Sequence, residues 1–153
     1  MEIKRIGSSE SNLVVELFDK YRVFYKQLPD IILAKTFIQA RLDNNESIIF
    51  VALVTDKDKT IPAGFTQLYP AYSSVRAVKN WILNDLYVDA AYRKQGIGEA
   101  LIKTAMDFAR KEKATYVELS TAADNFTAQS LYEAIGFQRQ VPDTNFYTYR
   151  VGL

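Results

Sequence analysis

The run from Trp81 to Lys113 constrains the fold more than any other part of the chain. Trp81-Ile82-Leu83-Asn84-Asp85-Leu86-Tyr87-Val88 is apolar except at Asn84 and Asp85, a composition suited to a central strand. Glycines follow at 96 and 98, and Ile97, Leu101, Ile102, Ala105, Phe108 and Ala109 then recur at helical spacing. The basic end at Arg110, Lys111 and Lys113 complements the negative pole of that helix. A central strand that passes through a glycine turn into a long amphipathic helix requires layers: a sheet with helices packed on it.

The remaining sequence extends this pattern. Glu2 to Ile6 reads as a strand, and Leu13, Val14, Leu17, Phe18, Tyr21, Phe24 and Tyr25 as the stripe of a helix capped by Ser11 or a neighbouring serine. Pro29 ends that helix, and Asp30 caps a second from about Ile31 to Leu42. Strands at about 47–55 and 61–69 flank a hairpin turn at Asp56, Lys57, Asp58 and Lys59, and residues 70–78 read as turn. A strand at 116–120, a short helix at 127–135 stopped by Gly136, and strands at 137–141 and 146–151 complete the order. The expected fold class is α/β (α+β): a mixed, mostly antiparallel central sheet flanked by helices. With 153 residues and no linker, repeat or low-complexity segment, one domain spanning 1–153 is expected.

Composition narrows the chemistry. A formal net charge of +1 without a basic block gives little drive to wrap a polyanion, so no nucleic-acid partner is expected. No apolar run reaches the ~20 residues that span a bilayer, and the charged start at Glu2, Lys4 and Arg5 does not resemble a secretory signal; no membrane and a cytoplasmic location are the expectation. There is no cysteine and no histidine, which removes thiolate nucleophiles, the commonest metal ligands and the usual neutral-range base. Any reaction must run on carboxylates, tyrosines, water and backbone groups, with no metal. Asp85 stands out as a carboxylate in an apolar strand: either a proton acceptor whose affinity burial raises, or a strand aspartate paired with a nearby cation.

Glycines at a strand-to-helix junction let consecutive N–H groups point at an anion, and the helix start adds partial positive charge. The same glycines also serve an ordinary turn. Gly-Lys-Ser or Gly-Lys-Thr of a phosphate-loop ATPase is missing, as is a dinucleotide fingerprint directly after the strand. Arg93-Lys94-Gln95-Gly96-Ile97-Gly98 resembles the cofactor motif of the GNAT superfamily of N-acetyltransferases. Asn125 and the run Ser130-Leu131-Tyr132-Glu133-Ala134-Ile135-Gly136-Phe137 resemble its later motif, and Leu83 to Val88 is similar to the branch that contains polyamine and histone acetyltransferases.

The resemblance implies an acyl-coenzyme A N-acyltransferase fold with splayed central strands and acetyl-coenzyme A as cofactor. Its arm would lie along Leu86, Tyr87 and Val88, and its pyrophosphate on the turn of Arg93, Lys94, Gln95, Gly96, Ile97, Gly98 and Glu99, with Arg93 either supporting that turn or touching phosphate and Asn125 touching the arm. It further implies direct transfer to a primary amine in a ternary complex, with Tyr132 beside the cofactor sulfur as proton donor and Asp85 as candidate base. Branch members often carry adjacent glutamate and aspartate in this strand; here Asn84 takes the first position and cannot be a base. Tyr21, Tyr25, Tyr69, Tyr72 and Trp81 are candidates for an aromatic wall around the acceptor, with Asp30 or Glu46 supplying charge and Asn84 nearby. The acceptor is a small-molecule amine or a peptide amine. A homodimer is also implied; Phe146, Tyr147 and Tyr149 of the last strand are candidates for its interface or for ordinary sheet packing, and a non-catalytic acyl-coenzyme A sensor or partner-binding domain is the competing reading.

Overall fold

In the computed structural model, which describes residues 1–153, the framework is a five-stranded sheet in the order β1-β2-β3-β4-β5. The strands are β1 (Glu2–Arg5), β2 (Ile48–Asp56), β3 (Lys59–Ser73), β4 (Val78–Val88) and β5 (Val117–Glu118). Neighbours are antiparallel except β4 and β5, which run parallel. The helices are α1 (Val15–Phe24), α2 (Ile31–Asp43), α3 (Ile97–Lys111) and α4 (Phe126–Ile135). Two compact units form, Met1–Ser120 and Thr121–Leu153.

Within the first unit, α1 and α2 bury Val14, Leu17, Phe18, Ala34 and Ile38 with Ile49, Val51 and Phe65 of the sheet in one apolar cluster. Helix α3 presents Leu101, Ile102, Ala105 and Ala109 as its buried stripe, and Phe108 meets Phe50 of β2 and Trp81 of β4 edge-on. Each fully buried leucine or isoleucine of that stripe contributes ~1.5–3 kcal/mol, so packing, more than propensity, holds α3 in place.

Several local signals act as the sequence predicts. The Asp30 carboxylate accepts the Leu33 N–H at 2.9 Å and starts α2. Lys57 and Asp58, at φ of 46° and 65°, make the two-residue turn that joins β2 to β3. Gly136 closes α4 at φ 116°.

Other expectations are corrected. Ser11 caps nothing; it lies buried in a 3-10 turn over Ser8–Leu13 and gives its hydroxyl hydrogen to Gln39 Oε1, so α1 begins only at Val15. β3 does not stop before Pro70 but continues to Ser73. Its pairing with β2 ends at Leu68, so Pro70 occupies a stretch bound only to β4, where a missing N–H is tolerated. The expected strand at 116–120 shrinks to Val117–Glu118. Residues 137–153 form no strand, and Phe146, Tyr147 and Tyr149 are 79%, 84% and 89% exposed. Strand-like composition needs a partner edge to become a ladder, and none pairs with this stretch.

Candidate active site

β4 carries the site because of two irregularities. The first is its parting from β5. Pairing stops at Ile82 with Glu118, while β4 continues through Val88, so Leu83–Val88 has no strand on its β5 side. The second is a bulge: Gln67 pairs with Asp85 but Leu68 with Leu83, leaving Asn84 as an extra residue in β4. An inserted residue reverses the pleat. Trp81 therefore faces α3, packed 5.0 Å from the Phe108 ring, whereas Asp85 turns to the α1 face beside Tyr21. Simple alternation would have put both on one face, and the sequence expectation of Trp81 in the acceptor wall fails for that reason.

Asp85 is 2% exposed, and its donors are neutral. Gln67 Nε2 donates to Oδ2, Asn84 Nδ2 donates to Oδ1 at 2.8 Å, and the Tyr21 phenol, which donates to the Asn84 carbonyl at 3.4 Å, lies beside the same carboxyl and favours its ionised form. Gln67, fully buried, accepts the Ser47 hydroxyl at Oε1 over 2.7 Å, while Thr66 Oγ1 donates to the Asp85 carbonyl at 2.8 Å. Burial raises the proton affinity of Asp85 above the usual carboxylate range, and the Gln67, Asn84 and Tyr21 donors oppose it only in part. The reverse influence reaches the phenols. Burial and the Asp85 charge raise Tyr21, and push Tyr69 up to about 12, so both stay protonated at neutral pH. The arrangement is a buried carboxyl with raised proton affinity and neutral hydrogen-bond donors.

Tyr25 stacks edge-on against Tyr21 at 5.0 Å and extends the aromatic face to the surface through Phe24. Asp30 is not brought to this place: its carboxylate is the α2 cap, and its N–H is bound by Asp19. Glu46 lies 3.2 Å from Arg41 Nε. Both carboxylates expected to supply acceptor charge have local partners instead.

Beyond Val88 the chain makes a 3-10 turn over Ala90–Tyr92 and then α3. Asp89 accepts the Ala91 N–H at 3.0 Å and pairs with Lys20 of α1 at 2.8 Å. Lys20 holds the Asp89 carboxyl below its ordinary range and is itself raised to about 12. Arg93 folds back so that Nε donates to the Val88 carbonyl at 3.0 Å, with its guanidinium 5.7 Å from the Tyr87 ring centre. Lys94 at φ 61° and Gly96 at φ 78° bend the backbone into the left-handed region ahead of α3. The N–H groups at the start of α3, Ile97, Gly98 and Glu99, precede the first intrahelical bond, from Ala100 to the Gly96 carbonyl. Left-handed turn residues followed by free helix amides form an anion cradle. Gln95 and Gly96 are exposed there, and Glu99 pairs with Lys103 at 2.5 Å.

The second unit holds the other two expected residues. Asn125 Oδ1 accepts the Ala128 N–H at 3.2 Å as the cap of α4, a role its family match did not indicate. Tyr132, on α4, is half-buried with its ring 6.0 Å from Phe137.

Sequence reasoning missed Gln67, Ser47, Lys20 and Gly64. Gln67 follows Phe65 at strand period and so shares its inward face, the one signal that could have found it. Gly64, opposite Val88, has a visible reason only in three dimensions: a Cβ there would come within 2.8 Å of the Tyr87 carbonyl oxygen.

This fold and junction define a class, and the comparisons agree. Residues 12–137 match the acetyltransferase (GNAT) family, and the chain belongs to that family of enzymes, whose fold binds acyl-coenzyme A. Among its relatives is the uncharacterized N-acetyltransferase YhfO of Bacillus subtilis, 39% identical over 97% of this chain and 95% of that protein. A probable acetyltransferase of Haemophilus influenzae is 30% identical over 82% of each. A crystal structure of a probable acetyltransferase superposes with a TM-score of 0.86 at 37% identity, covering 100% of this chain and 98% of that one. An aminoglycoside acetyltransferase from a soil metagenome shares the fold, at a TM-score of 0.75 and 21% identity.

Proposed function

We propose that the protein is an N-acetyltransferase that passes the acetyl group of acetyl-coenzyme A directly to a primary amine within a ternary complex. The observation that carries this reading is a buried carboxylate, Asp85, held by neutral donors at a bulge in β4. The strand leading from that bulge to the anion cradle has a free edge.

The cofactor fits this ground. The unpaired edge at Leu86, Tyr87 and Val88 would hold its arm, and the turn from Arg93 through Lys94, Gln95, Gly96, Ile97 and Gly98 to Glu99 would hold its pyrophosphate. Arg93 acts by bracing the turn against Val88. When bound, acetyl-coenzyme A supplies a thioester-activated acetyl group. Asp85 takes a proton from the incoming ammonium, directly or through water, and a β4 backbone N–H near Tyr87 or Val88 donates to the acetyl oxygen as charge builds there. Tyr132 would give its phenolic proton to the coenzyme A sulfur as the C–S bond breaks and regain one, through water, from the newly acylated nitrogen, and Asn125 would contact the arm; both roles rest on the motif match. Tyr21, Tyr25, Tyr69 and Asn84 receive the amine. Because Asp30 and Glu46 have local partners, the site favours an acceptor with one reacting ammonium over the polycation that the Leu83–Val88 resemblance implies.

Residues 1–153 act as one domain, supported by a family match that crosses from the first unit into the second. A homodimer through Phe146, Tyr147 and Tyr149 is supported by their exposure. No helix is long and apolar enough to cross a membrane.

The test is coenzyme A release from acetyl-coenzyme A across a panel of simple alkylamines, polyamines, amino acids, aminoglycosides and lysine peptides, with product mass recorded. Amine-dependent release with one added acetyl group is expected. Binding of the cofactor without any product would count against the reading. Tyr132→Phe is expected to lower turnover ~10²-fold or more while acetyl-coenzyme A affinity is kept, the effect of losing one positioned proton-transfer group.

A further inference from the structure

A buried base has to exist in two states every turnover, and each state needs different partners. Ionised Asp85 needs donors at both oxygens; protonated Asp85 must itself donate. Gln67 is the one group beside Oδ2 that can serve either way, because its side chain ends in a donor and an acceptor. It is fully buried on β3, in register with Asp85, and its amide oxygen accepts from Ser47, which is 6% exposed. Serine has the same double capacity: its hydroxyl donates to Gln67 Oε1 as observed, and would accept from Gln67 Nε2 if the amide turned over.

We propose that Gln67 and Ser47 are positioning residues for the base: Ser47 fixes the Gln67 amide, Gln67 donates to Asp85 and favours its ionised form, and the amide turns over to accept when Asp85 gains a proton. The inference rests on Asp85 being the base. With Asp85 ionised, the order is the one seen: Ser47 hydroxyl to Gln67 Oε1, Gln67 Nε2 to Asp85 Oδ2. After the amine proton arrives, the new Asp85 O–H donates to Gln67 Oε1, and Gln67 Nε2 donates to Ser47 Oγ. One proton is gained by the carboxyl, and every other change is a rotation. A leucine or methionine at 67 would fill the same space but leave the carboxylate short of a donor, at a penalty typical of a buried group stripped of its partner.

The other titratable groups facing Asp85 do not compete for this role. Tyr21 of α1 and Tyr69 of β3 are both raised by burial and by Asp85 itself. Arg41 of α2 and Glu46 act on Tyr69, in opposite directions. Asn84 donates to the other oxygen.

Two readouts separate the inference from the reading beneath it. The first is the carbon-13 carboxyl titration of Asp85 by NMR, and the second the pH dependence of kcat/KM with one fixed amine, in Gln67→Met, Ser47→Ala, Ser47→Thr and Asp85→Asn. In Gln67→Met the Asp85 titration and the acid limb of kcat/KM are expected to move together to higher pH. On that limb the rate falls about tenfold at a given pH, with the high-pH plateau kept. Ser47→Ala should move both less, and Ser47→Thr, which keeps the hydroxyl, should restore them. An Asp85 titration that stays in place in Gln67→Met and Ser47→Ala, with only the plateau lowered, would overturn the inference and make Gln67 a packing residue. Should Gln67→Met fail to fold, the Ser47→Ala and Ser47→Thr pair decides alone. If the Asp85 titration moves but the rate profile does not, or if Asp85→Asn keeps full activity, the base assignment fails while the control of Asp85 by Gln67 stands.

Discussion

Asp85 and Asp89 belong to the same stretch of chain and have become opposites. Asp85 is buried, touches only neutral donors and holds its proton more tightly than an ordinary carboxylic acid. Asp89 sits where β4 gives way to the turn, pairs with Lys20 and caps the Ala91 N–H, and holds its proton less tightly. Residue type is shared, so environment alone separates a carboxyl of raised proton affinity from an ion-paired latch. Desolvation without a compensating cation gives the first; an ion pair plus a backbone donor at the surface gives the second.

The sharpest way to break this contrast is to neutralise each aspartate in turn. Asp85→Asn is expected to lower amine-dependent kcat/KM by ~10²–10⁴ while leaving the acetyl-coenzyme A dissociation constant unchanged, measured by steady-state rates and calorimetry. The same variant should be more stable than the parent toward alkaline pH. A carboxyl whose folded affinity is raised contributes stability in acid that is lost as pH rises through its raised value. A melting-temperature difference between Asp85→Asn and the parent that grows from acid to neutral pH is therefore expected; a flat difference would mean that burial does not penalise the charge. Gain of stability with loss of rate would mark Asp85 as a site where function is kept against stability.

The turn gives the next effect. Gly64→Ala places a Cβ 2.8 Å from the Tyr87 carbonyl, which is backbone and cannot rotate aside. Overpacking of ~1–3 kcal/mol should shift the free edge of β4 and weaken acetyl-coenzyme A binding about tenfold or more, with little change in the pH profile. Gly96→Ala loads the left-handed position before α3 with ~1–2 kcal/mol of strain and should weaken cofactor binding to a similar degree, read by calorimetry.

Asp89→Asn gives the smallest. It removes the charge that Lys20 meets but keeps an oxygen for Ala91, and Lys20 is 44% exposed, so solvent screening limits the loss to ~0.5–1 kcal/mol, or ~1–3 °C in melting temperature. The sign opposes Asp85. Because the Asp89 carboxyl is depressed, its contribution is present above the ordinary carboxylate range and disappears as pH falls through the depressed value. An acid limb of kcat/KM that moved in Asp89→Asn as it does in the Gln67 variants would erase the distinction between the two residues.

Much of the fold is legible in short-range signals. Helix α3 follows from the spacing of Ile97, Leu101, Ile102, Ala105 and Ala109, all of which are buried. The α2 start at Asp30, the turn at Lys57 and Asp58 and the stop at Gly136 each depend on a residue and its immediate neighbours. Strand ends are less legible. The continuation of β3 past Pro70 depends on where β2 stops, and the lack of strands after Phe137 depends on whether any edge pairs with them. The junction of Arg93, Gly96 and α3 was visible as a motif, with support of the turn among the roles open to Arg93, but the Val88 carbonyl as its partner and the Asn125 oxygen spent on α4 were not.

The sequence by itself determined the chemistry available to this protein: no thiol, no imidazole, one carboxylate in an apolar strand, and glycine where a strand becomes a helix. Those are properties of residue type and local spacing, and they survive any rearrangement of the rest. Tertiary structure alone decided which face each residue would serve. The bulge at Asn84 separates Trp81 from Asp85, and register brings Gln67 and then Ser47 to the carboxyl. Pleat and register are set by the pairing of distant strands, and a single inserted residue reverses them, so no reading of β4 in isolation could have assigned its faces.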